Sequence, residues 1–170
     1  MKSKSSNNID TTPDGGLRLG ALQAIAGYRL AQATVVTSHV FDEVLQGDNP
    51  LRPVEFTVLA LVHANPACTA SELAKALAMT PPNITAWLDK LAARGCIERE
   101  RSESDRRSQH VRATAQGAQW VSDLARQLAH AESAALAGLS PAEQAMLLEL
   151  LHKAARARPQ KAARTRPPAR

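Results

Sequence analysis

The chain has 170 residues, enough for one well-buried core of ordinary size, and no apolar run near the ~20 residues that cross a bilayer. Its polar N-terminus (MKSKSSNNIDTTPDGG) lacks the apolar stretch of a secretory signal, which makes the cytoplasm the default compartment, and its two cysteines, Cys68 and Cys96, are too few for a disulfide framework. The net charge of +5 belongs to the tail: Lys153, Arg156, Arg158, Lys161, Arg164, Arg166 and Arg170 carry +7 with no acid among them, leaving residues 1–152 at −2.

In chain order, residues 1–16 read as disordered. From Leu17 to Gln46, apolar residues recur at Leu22, Ala26, Leu30, Ala33, Val36, Val40 and Val44, one stripe on a long helix that Gly47 ends. A single stripe on so long a helix calls for more surface than its sequence neighbours supply, and a partner subunit is a natural source. Arg52-Pro53 opens a second helix, apolar nearly all round and therefore central, stopped by Asn65-Pro66. Thr69-Ala-Ser-Glu72 is a capping box that starts a third helix. Thr80 caps a fourth, with Pro81-Pro82 in its first turn, where missing N–H groups cost little, and Gly95 past its end. Ile97–Arg101 and Gln109–Ala113 read as two strands of a hairpin, with polar Ser102–Ser108 between them. Thr114 caps a further long helix, and Ser140-Pro-Ala-Glu143 is a second capping box before a final one. Residues 157–170 read as a basic, disordered tail that either docks on nucleic acid or simply solubilises the chain.

The stretch Thr69–Thr114 therefore has the layout of a winged helix-turn-helix, within a mainly α fold that carries a small β-hairpin wing. Most helix pairs bind no DNA, but three details here fit duplex DNA. The second helix of the pair begins with short polar residues, Thr80, Asn83 and Thr85, able to approach base edges, while Ile84, Leu88 and Leu91 face inward. Asn83 suits an adenine edge and Thr85 a thymine methyl. Lys90 lies one turn further out, where a phosphate runs, and the hairpin carries Arg106-Arg107 at its tip with Arg99, Arg101 and Arg112 on its strands. The unit holds eight basic and six acidic residues, so placement of charge, not its amount, makes the case. Asp105 is read as an internal partner that orients an arginine or caps the turn. Trp87 packs against the first helix of the pair or stacks on the sugar-phosphate backbone.

SELAKAL, then TPPNITAWLDKLAARGCIERERSESDRR, then VRAT, resembles the multiple-antibiotic-resistance regulator (MarR) family, with Asp89, Leu91, Gly95, Glu98-Arg99, Asp105, Arg107, Thr114 and Gly117 in register. The likeness covers about residues 50–125, and about 17–156 with the long flanking helices. The chain departs from the family pattern at Pro81-Pro82, at Gln109-His110 and at Ala113. The resemblance implies a single domain over 17–156, with dimerisation helices at 17–50 and 118–156 and the DNA-binding part at 51–117. It implies a homodimeric repressor whose two recognition helices enter successive major grooves of a pseudo-palindromic operator, released by a small phenolic or aromatic acid. The DNA-facing set it gives here is Ser71, Thr80, Pro81, Pro82, Asn83, Thr85, Ala86, Lys90, Arg99, Arg106 and Arg107.

The family's effector pocket lies between the first helix, the second helix and the helix after the wing. Arg29, Gln32 and His39 share a face along the apolar stripe of the first helix and suit an aromatic carboxylate, or else form the polar rim of a dimer interface. Arg52 and His63 flank the second helix. No metal motif, phosphate loop or nucleophile elbow is present, so neither a cofactor nor catalysis is expected. Two alternatives remain open: a thiol-based redox sensor on the same fold, through Cys68 or Cys96, and a winged helix used for protein contacts.

Overall fold

The computed structural model describes residues 9–46, 51–101 and 109–158. The first long helix, α1, spans Ala26–Leu45. The apolar spacing alone places its start at Leu17, and the structure differs because Gly20 takes a left-handed φ of 53° while Ile25 is extended, so that Gly20–Ala24 closes into a 3-10 turn. Glycine reaches that φ at no steric cost. Ahead of it, Thr11 and Arg18 form an antiparallel bridge. Of the apolar stripe, Val40 is buried and Val44 half-buried, but Leu22, Leu30 and Val36 stay exposed.

Helix α2, Pro53–Ala64, is the hub of the core: Val58, Leu59 and Val62 are wholly buried. Proline at its first position supplies no N–H where none is needed. Glu55 is buried with it, and its carboxylate accepts the Arg52 N–H at 2.8 Å. Strand β1, Cys68–Thr69, follows a turn in which Ala67 has a φ of 67°. Helix α3, Ala70–Ala76, starts on the anticipated capping box: the Thr69 hydroxyl accepts from Glu72 N–H, and the Glu72 carboxylate accepts from Thr69 N–H at 2.8 Å. Those bonds hold the Glu72 carboxyl below its usual range, first through the Thr69 N–H and then through its hydroxyl. The cap is therefore intact at neutral pH and is lost only as acid titrates through that lowered value.

Helix α4, Pro81–Ala93, ends at Gly95, whose φ of 68° is the left-handed turn expected there. Strand β2, Ile97–Arg101, pairs antiparallel with β3, Gln109–Ala113, from Ile97↔Ala113 to Arg101↔Gln109. The two-stranded hairpin of the sequence reading is in fact a three-stranded sheet in the order β1-β3-β2, with Cys68 opposite Val111 and Thr69 opposite His110. Helix α5, Ala115–Ala135, follows at once. Its start is fastened to the backbone of the α4–β2 reversal: Thr114 N–H donates to the Cys96 carbonyl at 3.0 Å, and the Thr114 hydroxyl donates to the Gly95 carbonyl at 2.7 Å. The same hydroxyl accepts Gly117 N–H at 3.0 Å, and a Cβ on Gly117 would lie 2.0 Å from the Cys96 carbonyl oxygen.

The chain divides after Glu132 into two compact units. The first holds the core just described, which Ile84, Leu88 and Leu91 of α4 and Val121, Leu124 and Leu128 of α5 complete. In the second, helix α6, Pro141–Arg156, starts on the Ser140–Glu143 capping box, and Gln144 donates its amide to the Leu136 carbonyl at 3.1 Å. Met146, Leu148, Leu150 and Leu151 of α6 are exposed. No described helix is long and apolar enough to cross a membrane.

Candidate nucleic-acid interface

Helix α4 has two distinct sides. Ile84 and Leu91 are 0% exposed and Leu88 is 2%, which seats the helix on α2 and α3. Thr80, Pro81, Pro82, Asn83, Thr85, Ala86 and Lys90 are all exposed, as is Ser71 on α3. The outer surface at the helix start is thus short, mostly uncharged and unobstructed by its own chain, which is what close approach to a groove floor requires.

The start of α4 is unusual in its donors. Pro81 and Pro82 have no N–H, and the Asn83 and Ile84 N–H groups donate to the Thr80 carbonyl at 3.0 and 3.2 Å. Thr80 occupies the cap position with an extended backbone, yet its hydroxyl makes no capping bond. The sequence reading of a side-chain cap is corrected here, because proline leaves no N–H at the second helical position and Thr80's own carbonyl takes the third. The Thr85 hydroxyl donates to the Pro81 carbonyl at 3.1 Å, so its oxygen remains an acceptor only. Within the first turn of α4, side chains and not backbone N–H groups are left to bind a partner.

Arg99 on β2 donates to Asp89 on α4 at 2.6 Å, tying wing to helix. Arg112 pairs with Glu100 across β3 and β2 at 3.3 Å. Arg94 lies 3.9 Å from the buried Glu55 and over the Trp120 ring, at 5.0 Å from its centroid. Lys90 instead sits over the Trp87 ring, 4.3 Å from the centroid, and Trp87 is half-buried against the core. Arg106, Arg107 and Asp105 lie outside the described residues, in the segment 102–108 that joins the paired ends Arg101 and Gln109. Sequence reasoning gave no role to His110, whose Nδ1 lies 2.7 Å from the Ala67 carbonyl and links β3 to the turn before β1. Glu55 was likewise read only as part of a central helix.

The thiols are poor nucleophiles. Cys96 is 1% exposed and Cys68 half-buried, and burial pushes both pKa values up, with the Glu72 carboxylate adding to it at Cys68. Both are protonated at neutral pH, whereas oxidation requires thiolate and access. A peroxide pulse at pH 7 is therefore expected to leave DNA affinity unchanged. A loss of tenfold or more that disappears in a Cys68→Ser, Cys96→Ala double variant would restore the redox reading.

The five effector candidates fall apart into separate settings. The Arg29 guanidinium donates to the Ile9 carbonyl at 2.6 Å and the Gln23 carbonyl at 3.4 Å, so the N-terminal segment engages it. His39 is exposed, 3.7 Å from Glu43 one turn away. Gln32 is half-buried and Arg52 exposed, while His63 Nε2 lies 3.4 Å from the Ser122 hydroxyl on α5. A cleft of about 340 Å³ is lined by Leu61, Asn65–Cys68, Glu72, Leu73 and Ala76, and includes none of the five. Among the described residues, no cluster of His, Cys, Asp and Glu could hold a metal ion.

Comparison with known proteins gives one answer throughout. The model of the MarR family matches residues 51–109. An uncharacterized HTH-type transcriptional regulator of Bacillus subtilis, YkoM, is 31% identical over 107 residues, which span 63% of this chain and 70% of that protein. The transcriptional repressor CouR, solved on a 23-mer DNA duplex, superposes with a TM-score of 0.74 at 32% identity, over 82% of this chain and 98% of its own. The fold is also that of Bordetella bronchiseptica BpsR, whose DNA binding is regulated by 6-hydroxynicotinic acid (TM-score 0.68, 24% identity, 78% and 94% covered).

Proposed function

The chain belongs to the MarR family and is a DNA-binding transcriptional regulator, not an enzyme, and from that premise we propose that it is a homodimeric repressor of a pseudo-palindromic operator, released by a small aromatic or phenolic acid. The observation that carries the reading is the surface of α4: a short, exposed, polar start (Thr80, Asn83, Thr85) over a wholly apolar inner side. Residues 51–117 form the DNA-binding part. The exposed apolar residues of α1, and separately those of α6, offer surface for pairing two copies, which would set the recognition helices ~34–36 Å apart for successive major grooves. CouR, which shares about a third of its residues with this chain, is a repressor that binds duplex DNA.

Selection from a random duplex pool with the full chain tests this directly. We expect an inverted repeat with half-site centres one helical turn apart, and binding that weakens steeply as salt rises, by about 0.9 in log–log slope per phosphate contacted. Recovery of no preferred sequence, or a salt-independent interaction, would instead favour a winged helix used for protein contacts.

We place the effector site at the edge of α1, where Gln32 and His39 lie, with a second copy closing it; Arg29, Arg52 and His63, which stand apart in the single chain, are its further candidates. The fold is one on which an aromatic acid acts in BpsR. A thermal-shift screen of aromatic acids finds the ligand, since one present at 100 times its Kd adds ~2.7 kcal/mol. His39→Ala should then bind the selected duplex normally while needing at least tenfold more acid for release. A normal dose response for every effective acid sinks the assignment.

A further inference from the structure

Three arginines around the DNA-binding surface, Arg94, Arg99 and Arg112, have acidic partners. Arg99 is on Asp89 at 2.6 Å, Arg112 on Glu100 at 3.3 Å, and Arg94 is beside Glu55 at 3.9 Å and over Trp120. Lys90 is different, because the group it packs against is a neutral ring. Its ammonium sits 4.3 Å from the Trp87 centroid, one turn along the same exposed side of α4. A ring face attracts the cation without neutralising it, so the full charge stays available to a phosphate. Asp89, the neighbouring acid, is turned to Arg99 and does not compete. The ring cannot swing away easily, since Trp87 is half-buried and packs on the same core as Ile84 and Leu88.

The start of α4 adds a reason for such an arrangement. With proline at its first two positions and the next two N–H groups turned to the Thr80 carbonyl, the first four helical residues offer no free backbone donor to a phosphate. A helix N-terminus normally supplies that contact. On α4 the duty falls to a side chain, and a lysine is a flexible one that loses rotamer freedom on contact. We propose that Trp87 is a positioning residue for DNA binding: its core-seated ring holds the Lys90 ammonium ready for a backbone phosphate beside the groove. The proposal rests on the reading of α4 as the recognition helix.

The test is a double-mutant cycle on the full dimer, with affinity for the selected duplex measured across salt concentrations. Lys90→Met should lower the log–log salt slope by about 1.8, one phosphate per protomer. Trp87→Leu, felt once in each protomer, should weaken binding roughly five- to thirtyfold, Trp87→Phe should restore most of it, and the Trp87→Leu, Lys90→Met double variant should bind like Lys90→Met alone. Phenylalanine keeps the ring and most of the packing, so it holds the test open if Trp87→Leu folds poorly. An undiminished effect of Trp87→Leu in the Lys90→Met background overturns the proposal, because Trp87 would then act without Lys90. An unchanged slope in Lys90→Met overturns it too, while leaving sequence-specific binding by the wild type intact. Failure of the wild type to select any duplex would instead remove the reading of α4 itself.

Discussion

Gly117→Ala is expected to cost about 3 kcal/mol or more and to lower the melting temperature by about 6–12 °C. The usual sign is the opposite, since alanine in a helix interior is favoured over glycine by about 0.5–1 kcal/mol. Here the new methyl would meet backbone, not a side chain that can rotate away: 2.0 Å to the Cys96 carbonyl oxygen, 2.8 Å to its carbon and 3.0 Å to Cα. To admit it, α5 must lift from the chain reversal between α4 and β2, which breaks the Thr114 bonds to Gly95 and Cys96 and opens the packing of Val121 on the core. Thermal or urea unfolding of the purified variant checks this. A melting temperature equal to or above that of the wild type would mean that the close approach is not a constraint.

The second large effect concerns DNA. Arg107→Ala should weaken binding to the selected duplex by about 2–6 kcal/mol, because an arginine contact is worth about 1–3 kcal/mol and a homodimer loses it twice. The expectation comes from the position of Arg107 in the segment joining the paired ends Arg101 and Gln109, together with the guanidinium's fit to a narrow minor groove. Dimer state and melting temperature should not move. Unchanged affinity in a titration at ~0.15 M salt, where exposed charges are screened over ~8 Å, would sink the wing contact.

What the sequence showed and what it hid have physical causes. Capping boxes at Thr69 and Ser140, proline at helix starts and glycine at position 95 are local devices, and each stands where the residues put it. Strand β1 is only Cys68–Thr69, and it exists because of partners some forty residues away in β3, which no local pattern announces. The start of α1 was misread because the apolar spacing runs through Gly20 unbroken, while the backbone does not. Gly117 was visible as a family position, but its reason, a carbonyl one atom's width away, is tertiary. On the candidate surface, the inward residues of α4 were legible from period alone. That Arg99 would be held by Asp89, or Arg29 by the Ile9 carbonyl, was not, since long side chains choose partners only after the backbone is placed.

The joint at Gly117 also has a mechanical meaning. Backbone stacked on backbone with no side chain between is close to incompressible, so α5 and the α4–β2 reversal turn as one piece. From Gly117 to Glu132 the helix is an arm of roughly 23 Å at 1.5 Å per residue. A tilt of only about 5° therefore sweeps its far end through about 2 Å, and a push of that size at the far end swings the reading head by the same angle. In a dimer, a stiff fulcrum of this kind would let a small displacement far from the duplex reset the distance between two recognition helices, with no need to loosen either one.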